Sequence, residues 1–496
     1  MSISRAVKPV ALVLAGVLVS WAVVFHWLGW SALSSESNGA CGGRHGPCPE
    51  GLPPVLILAF VFTFAGVVAM SFAVGANSGA LTRPWMVSLV VAGLAGGVWT
   101  GVLGYEWLRG PHLDVAWEAP RDRPSSARAV GEWMPGPSTL IRARNDGLFA
   151  YDTSDGTRRW TVPAPERRSV CAMSRTTPSS IGLVGLGRYE KPCDTVVAVD
   201  LSSGRELWTK KINADDSVTR PTDARLVGAG DTAVVLEEKA VVGLGLRDGA
   251  PRWRSPLDRN CQALAVDATP ERALVMEQCT GTDGDNTKMR LSALDPRSGE
   301  RQWRSTLPTE SRWEKVFMLS ADPIVVYVKE DDDRGTDAVI SFDDKGRREA
   351  VIPRLGQEDD LNFEVTQYGY SEPFDARPVF RAVVTNGLFI SAVGPADKDD
   401  PQHVAAFSLK DGRGVWKTSL GGTVAALTQD RSGELDLLVG GDLWRLDPAT
   451  GEKHGGTPLR GAPLSSVLAL HRMQGGRYVI VNSDGAKDTP PVFAIK

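Results

Sequence analysis

The sequence has little net charge and few histidines, and each shortage excludes a class of function. Its 55 Lys and Arg residues nearly balance its 59 Asp and Glu residues, which leaves a formal charge of −4 at pH 7. Because nucleic-acid binding needs a clear basic excess, no nucleic acid is expected as a partner. The histidines stand at positions 26, 45, 112, 403, 454 and 471 without metal-ligand spacing, so no metal site is expected.

Charge is absent altogether from three long stretches near the N-terminus, at about residues 9–30, 52–76 and 84–105. Each is long enough to cross a hydrocarbon core of about 30 Å as a helix, which takes about 20 residues. A cleaved signal peptide is a weaker explanation of the first stretch, whose apolar core is too long. The sequence therefore predicts a membrane anchor with three transmembrane helices in residues 1–107, held in the lipid bilayer, and a second domain in residues 108–496.

Gly93, Gly97 and Gly101 recur at every fourth residue of the third stretch. This spacing lets another helix approach closely. Packing within the three-helix bundle explains it at least as well as dimerisation does.

Cysteine placement indicates the orientation of the chain better than the basic residues do, because Arg and Lys flank the spans on both sides. All six cysteines fall on one side of a three-span topology and form three local pairs: Cys41 with Cys48, Cys171 with Cys193, and Cys261 with Cys279. An even number paired in this way is typical of disulfides in an oxidising compartment. We therefore predict a multi-pass protein of the cell membrane with a cytoplasmic N-terminus and an extracytoplasmic second domain.

The second domain repeats one short pattern. In LFAYDTSDGTRRW an apolar run ends at Asp152, Gly156 follows four residues later, and Trp160 four residues after that. The apolar run predicts a strand, the glycine predicts a tight turn that needs a positive φ, and the Trp predicts a returning strand with a buried indole. Each copy is therefore expected to form a β-hairpin.

Seven copies follow one another, with turn glycines Gly156, Gly204, Gly249, Gly299, Gly346, Gly412 and Gly451. The final strand, VFAIK, stops at Lys496 where the next Asp would stand, and Trp117 near the start of the domain can supply its returning half. Two further strands fit between successive turns. The sequence predicts an all-β, eight-bladed β-propeller of four-stranded antiparallel blades, closed by both chain ends. A solenoid is the alternative, but antiparallel hairpins and end-to-end closure favour a ring.

The form YALDxxTGxxxW, which these copies approximate, resembles the pyrroloquinoline-quinone-like repeat of eight-bladed quinoprotein propellers, over about residues 112–496. The resemblance implies a membrane-anchored bacterial member of that family. It also implies that the Trp residues dock between neighbouring blades, here Trp117, Trp160, Trp208, Trp253, Trp303 and Trp416.

The resemblance leaves three functions open. Quinoprotein dehydrogenases of this fold carry adjacent cysteines beside the quinone, a bound Ca²⁺ and a catalytic Asp, whereas no two cysteines are adjacent here. We therefore expect no catalytic residues and neither quinone nor Ca²⁺, and keep a membrane dehydrogenase as the alternative. Similar propellers act as assembly scaffolds or as outer sensor modules of signalling complexes. A non-catalytic scaffold for a protein or a cell-envelope ligand is favoured over a sensor.

Long loops on one face of the expected propeller indicate where such a ligand binds. They are rich in acidic and aromatic residues, and the candidate binding residues are Glu330, Asp331, Asp332, Asp333, Glu358, Asp359, Asp360, Phe363, Tyr368, Tyr370, Phe374, Asp397, Asp399 and Asp400. Aromatic residues are frequent in binding hot spots, and an acidic face attracts a basic partner. The alternative is that these acidic loops only keep an exposed face soluble.

Overall fold

The computed structural model describes most of the chain, namely residues 7–37, 48, 51–77, 83–110, 113–124, 127, 129–188, 192–213, 225–281, 287–356, 359–363, 381–395, 401–429, 432–464, 467–482 and 489–496. It divides into two compact units. The first runs to Leu113 and includes the short segments 440–442 and 457–462, and the second contains the remainder of the chain.

Three apolar helices build the first unit: α1 (Val7–Ser37), α2 (Leu52–Asn77) and α3 (Arg83–Arg109). All three are long and apolar enough to span a membrane. Helix α1 packs along both of the others, whereas α2 and α3 scarcely meet. Helix α1 continues past the predicted end near residue 30, because the end of an apolar run marks where hydrocarbon contact stops and not where the helix must end.

The regularly spaced glycines of α3 pack against α1. A Cβ atom at Gly93 would lie 2.3 Å from the carbonyl oxygen of Val13, and one at Gly97 would lie 2.8 Å from the Cα atom of Val17. Both distances are too short for real atoms, so only glycine allows this approach of the two backbones. The spacing therefore serves packing within the bundle.

The second unit is an eight-bladed β-propeller of antiparallel sheets, as the repeat predicts. The strands of the first four blades, from the innermost outward, are as follows. Blade 1 contains β2 (Ala129–Gly136), β3 (Thr139–Arg144), β4 (Gly147–Asp152) and β5 (Arg158–Pro163); blade 2 contains β6 (Ser169–Met173), β7 (Ile181–Gly187), β8 (Cys193–Asp200) and β9 (Arg205–Lys211); blade 3 contains β10 (Leu226–Ala229), β11 (Thr232–Leu236), β12 (Ala240–Gly245) and β13 (Pro251–Pro256); blade 4 contains β14 (Cys261–Ala268), β15 (Ala273–Thr280), β16 (Thr287–Leu294) and β17 (Arg301–Thr306).

The remaining blades follow the same order, with one addition and one exchange. Blade 5 contains β18 (Trp313–Ala321), β19 (Ile324–Glu330), β20 (Asp337–Phe342) and β21 (Arg348–Pro353); blade 6 contains β22 (Asp360–Leu361), β23 (Ala382–Thr385), β24 (Leu388–Gly394), β25 (His403–Ser408) and β26 (Gly414–Ser419); blade 7 contains β27 (Val424–Gln429), β28 (Leu435–Val439), β29 (Asp442–Leu446) and β30 (Lys453–Pro458); blade 8 contains β31 (Val467–Arg472), β32 (Tyr478–Asn482), β33 (Val492–Ile495) and, outermost, β1 (Val115–Glu118).

Blade 6 departs from the predicted four strands. Both β22 and β23 pair with β24, with Asp360 opposite Gly394 and Ala382 opposite Ser391. The innermost strand is thus formed by two separate segments of chain. The sequence does not predict β22.

Blade 8 closes the ring with both ends of the domain. Strand β1 pairs with β33 in antiparallel register, and Trp117 lies opposite Ala494. The predicted closure is confirmed. A buried ionic cluster also joins blade 8 to blade 1, because Arg142 and Arg144 both donate to the Asp122 carboxylate, and Arg142 Nη2 donates to the carbonyl of Asn482 at 3.2 Å.

Two disulfides lie within single blades. Cys171 on β6 is bonded to Cys193 on β8, and Cys261 on β14 is bonded to Cys279, its cross-strand neighbour on β15. Both pairings match the prediction. Cys41 lies outside the described residues, so the Cys41–Cys48 disulfide stays a prediction.

The hydrophobic core is divided among the junctions between neighbouring blades. At six junctions a Trp from the outermost strand lies over the turn glycine of the next blade. The pairs are Trp117 and Gly156, Trp160 and Gly204, Trp208 and Gly249, Trp253 and Gly299, Trp303 and Gly346, and Trp416 and Gly451. A Cβ atom at any of these glycines would lie 2.3–2.7 Å from the indole, so the ring occupies the space a side chain would need.

A small residue across the strand leaves space beside each indole. The residue across the strand from each Trp is small: Ala494, Ala150, Ala198, Gly243, Ala293 and Ala406. Several indoles are fixed further by a hydrogen bond from Nε1 to a turn carbonyl, as from Trp253 to Pro296 at 2.8 Å. A large residue, a small residue and a glycine therefore form one unit at each of these junctions.

Replacing one of these glycines should cost far more stability than replacing a glycine of a free turn. Gly299 and Gly387 both have φ near +70°, at +71° and +73°, so alanine carries a similar backbone penalty of about 1–2 kcal/mol at each. At Gly299 the new Cβ would also meet Trp253 at 2.4 Å, whereas nothing lies within 4 Å at Gly387. We expect Gly299→Ala to lose about 1–3 kcal/mol more than Gly387→Ala in denaturant unfolding of the full chain. Equal losses would show that the indole contact carries no stability.

Candidate binding surface on blades 5 and 6

The predicted binding residue Glu330 is buried and braces two loops. Its side chain is 3% exposed. The carboxylate accepts backbone N–H groups from Glu310 at 2.7 Å, from Thr336 at 2.6 Å, and from Ser311. The loop between β17 and β18 is thereby joined to the loop between β19 and β20. The backbone already uses its oxygens, and a contact of Glu330 with a partner stays a prediction.

This brace depends on the ionised carboxylate. Burial alone would raise the pKa of Glu330, but the N–H groups of Ser311, Thr336 and Glu310 outweigh burial and hold the pKa below its usual value. The stabilisation is therefore complete above the ordinary glutamate pKa and is lost as pH falls through the lowered one.

The hydrogen bonds to Glu330 support the acidic loop that directly follows it in the chain. Asp331, Asp332 and Asp333 are exposed. The Asp332 carboxylate accepts the backbone N–H of Arg334 at 2.8 Å and so shapes the turn. The structure thus places these three predicted residues together on one short, supported loop.

Phe363, another predicted contact, is a core residue. Its side chain is fully buried, edge-to-face with Tyr327 at 5.0 Å and with Phe389 at 5.6 Å between ring centroids. It secures the chain next to β22 in the junction between blades 5 and 6. The predicted role of Phe363 in binding a partner stays a prediction.

Asp359 and Asp360 are engaged within the protein. Asp359 forms an ion pair with Lys417 on β26, and the Asp360 carboxylate accepts the backbone N–H of Gly356 at 3.1 Å. The other predicted binding residues lie outside the described residues: Glu358, Tyr368, Tyr370, Phe374, Asp397, Asp399 and Asp400.

The junction between blades 5 and 6 lacks the indole found at the six junctions above. The position four residues after Gly346 is Ala350, and the next turn glycine, Gly412, lies against the backbone carbonyl of Val351. Without the large ring, the outer strands β21 and β26 meet through backbone and small side chains.

Exposed apolar side chains gather at the same junction. Among the described propeller residues, the large apolar side chains that are exposed are Val351 at 39%, Leu355 at 54% and Val415 at 51%. In other copies the position of Val351 is polar, as at Thr161, Thr209, Arg254 and Arg304. Comparing repeat positions would have found Val351 from the sequence.

Two ion pairs join these parts into one surface. Arg354, next to Leu355, donates to Asp337 just beyond the acidic loop at 2.8 Å, and Asp359 pairs with Lys417, two residues from Val415. We call this region the seam surface and define it by Asp331–Arg334, Val351, Leu355, Val415 and Lys417. It combines exposed apolar side chains with an acidic loop.

One group of potential metal ligands occurs among the described residues, formed by Cys261, Glu277 and Cys279. The disulfide uses both sulfur atoms, and Arg304 lies 3.3 Å from the Glu277 carboxylate. Burial, partly offset by nearby arginines, raises the pKa of Glu277. A guanidinium beside a single remaining ligand opposes cation binding, so this group stabilises blade 4.

Comparison with known proteins agrees with the fold. Residues 114–279 and 192–360 match the family model described as outer membrane protein assembly factor BamB. With its eight blades and repeated Asp–Gly–Trp pattern, the chain belongs to the family of pyrroloquinoline-quinone-like β-propeller repeat proteins. No curated protein matches the sequence.

Solved structures similar in fold include BamB and an alcohol dehydrogenase. BamB from Moraxella catarrhalis is 16% identical, with a TM-score of 0.42, and the match covers 76% of this chain and 95% of that one. The quinohemoprotein alcohol dehydrogenase ADHIIG from Pseudomonas putida HK5 is 12% identical, with a TM-score of 0.48 and coverage of 77% and 76%. Sqt1 from Saccharomyces cerevisiae is 10% identical, with a TM-score of 0.45 and coverage of 77% and 98%. Identities this low concern the fold alone.

Removing the charge of Glu330 should loosen the acidic loop without unfolding the propeller. Hydrogen bonds to a charged acceptor contribute about 1.5–3 kcal/mol each, so Glu330→Gln should speed amide exchange at Ser311 and Thr336 at least tenfold at pH 7. The protection of these two amides in the wild type should fall to that in the variant only as pH falls through the lowered pKa of Glu330. Asp333→Asn, on the exposed tip of the loop, is the control and should leave both amides protected. Unchanged exchange in Glu330→Gln would contradict the brace.

Proposed function

We propose that this protein is a membrane-anchored, non-catalytic scaffold whose propeller binds a protein partner of the cell envelope through the seam surface. One observation carries the proposal: the exposed large apolar side chains of the described propeller, Val351, Leu355 and Val415, all lie at one junction. Single exposed apolar residues are common on protein surfaces, whereas a group of them beside charged loops is typical of a binding site.

The chemistry of the seam surface indicates the kind of partner. Its apolar residues suit an apolar or aromatic anchor, which is where binding energy concentrates. The neighbouring Asp331, Asp332 and Asp333 would attract and orient a basic segment. We therefore propose a partner that combines one or two apolar anchors with Lys or Arg residues. The family match to an outer membrane assembly factor supports a partner-binding role.

The proposed location follows from the helices and the disulfides. Each of the three helices is long and apolar enough to span a membrane, and an odd number of spans would put the N-terminus and the propeller on opposite sides of it. Disulfides in blades 2 and 4 favour an oxidising compartment for the propeller. We propose that the N-terminus is cytoplasmic and the propeller extracytoplasmic.

This orientation can be tested by labelling introduced cysteines in intact cells. Thr161→Cys, on the exposed face of β5, should react with a membrane-impermeant maleimide before lysis, once any outer permeability barrier has been removed. Ser2→Cys, near the N-terminus that we propose to be cytoplasmic, should react only after lysis. The reverse pattern would overturn the proposed orientation.

The binding role can be tested by changing the charge of the seam surface. Val351→Asp combined with Leu355→Asp should lower recovery of the partner from crosslinked native membranes about 30-fold, because losing two anchors costs about 2 kcal/mol or more. Thr161→Asp changes the same repeat position in blade 1 and should leave recovery unchanged, and both variants should unfold at the wild-type temperature. Undiminished recovery in the double variant would place the site elsewhere. A stoichiometric quinone in the purified protein, with alcohol or sugar oxidation, would instead make it a dehydrogenase.

A further inference from the structure

An open groove of about 800 Å³ runs between α1 and α2 in the first unit. Val19, Val23, His26 and Trp30 of α1 line it, together with Thr63 and Val67 of α2. The scaffold role proposed above makes no use of this groove, although it contains the one histidine of the membrane-spanning segments.

Hydrogen-bond accounting favours one tautomer of His26. Its Nε2 atom lies 3.0 Å from the Thr63 hydroxyl, and that hydroxyl donates its only hydrogen to the carbonyl of Ala59 at 2.8 Å. With its hydrogen directed to Ala59, this hydroxyl can accept the hydrogen of Nε2, and the proposal uses this tautomer. In the uncharged ring, Nδ1 is then a hydrogen-bond acceptor without a partner among the described residues. A lone acceptor is costly in hydrocarbon, which favours an occupant that can donate to it.

The imidazole ring of His26 is also held in position by a neighbouring aromatic ring. Phe60 packs edge-to-face against His26 with 5.1 Å between ring centroids. Together with the bond to Thr63, this contact limits rotation of the imidazole, so the groove presents an oriented acceptor.

The length of the groove distinguishes between two kinds of occupant. On α1 it runs from Val19 to Ser31, twelve steps of 1.5 Å, or about 18 Å. This is about three-fifths of a hydrocarbon core of about 30 Å, or slightly more than one leaflet. Such a length suits an acyl chain of one leaflet, whereas a helix that spans the bilayer would extend beyond the groove.

The two ends of the groove differ in polarity. Val19 and Val67 form an apolar end deep in the bilayer, and Trp30 and Ser31 form the end nearest the loop after α1. Indoles favour the headgroup layer. We propose that the groove binds one membrane lipid, with an acyl chain along the valines and a hydroxyl or amine of its polar part donating to His26.

Native mass spectrometry of the full chain in mild detergent tests the proposal. One lipid per chain is expected, and fragmentation should identify it as carrying a hydroxyl or amine donor. Val23→Trp fills the groove and should lower the bound fraction at least tenfold. Val61→Trp, at an exposed valine of α2 that does not line the groove, should leave the bound fraction unchanged.

A variant without the histidine acceptor and a photo-crosslinking residue complete the test. His26→Leu keeps an apolar lining and removes the acceptor, so lipid binding should persist without preference for donor-bearing headgroups. A photo-reactive residue at position 23 should form a lipid adduct. A protein adduct there would show that a helix occupies the groove, and lipid retained equally by Val23→Trp would overturn the site. Either failure would leave the seam surface untouched, because the two sites lie in different units.

Discussion

Contact between an indole and the turn glycine of the next blade is the interaction on which the propeller depends. The flat ring fits only where the glycine has no Cβ atom and where a small residue lies across the strand, as Trp253 lies between Gly243 and Gly299. Each such junction therefore fixes three residues and leaves the loops free to vary. The cores between blades and the register of the outer strands follow from these contacts, and the loops can acquire functions without disturbing the ring.

Two of the eight junctions lack the indole, and one of them, between blades 5 and 6, also differs from the others in other ways. With Ala350 in place of Trp, blades 5 and 6 meet with less buried ring surface, and ion pairs and Phe363 supply part of the missing attachment. The innermost strand of blade 6 is formed from two segments at the same place. A departure from the repeat thus coincides with exposed apolar side chains and an acidic loop, and this coincidence is the reason for proposing the junction as a binding surface.

The blade number, the closure of the ring and two disulfides could be predicted because each depends on residues close together in the sequence or at regular spacing. Cys261 and Cys279, for example, flank one hairpin turn. The environments of Glu330 and Phe363 could not be predicted in this way. Glu330 is buried by N–H groups of a loop some twenty residues earlier, and Phe363 packs on rings from two other strands. Acidic and aromatic residues beside loops suggest exposure until such distant contacts are known.

Closure by β1 and β33 has a consequence for the order of events during synthesis. Strand β1 emerges before any other strand of the propeller, yet its partner β33 emerges after all the other strands of the ring. Blades 1 to 7 contain only their own consecutive strands and can form in turn, while β1 waits with its pairing groups unused. The ring is therefore complete only when β33 has emerged, and a chain interrupted before Val492 has seven possible blades and no means of closing them.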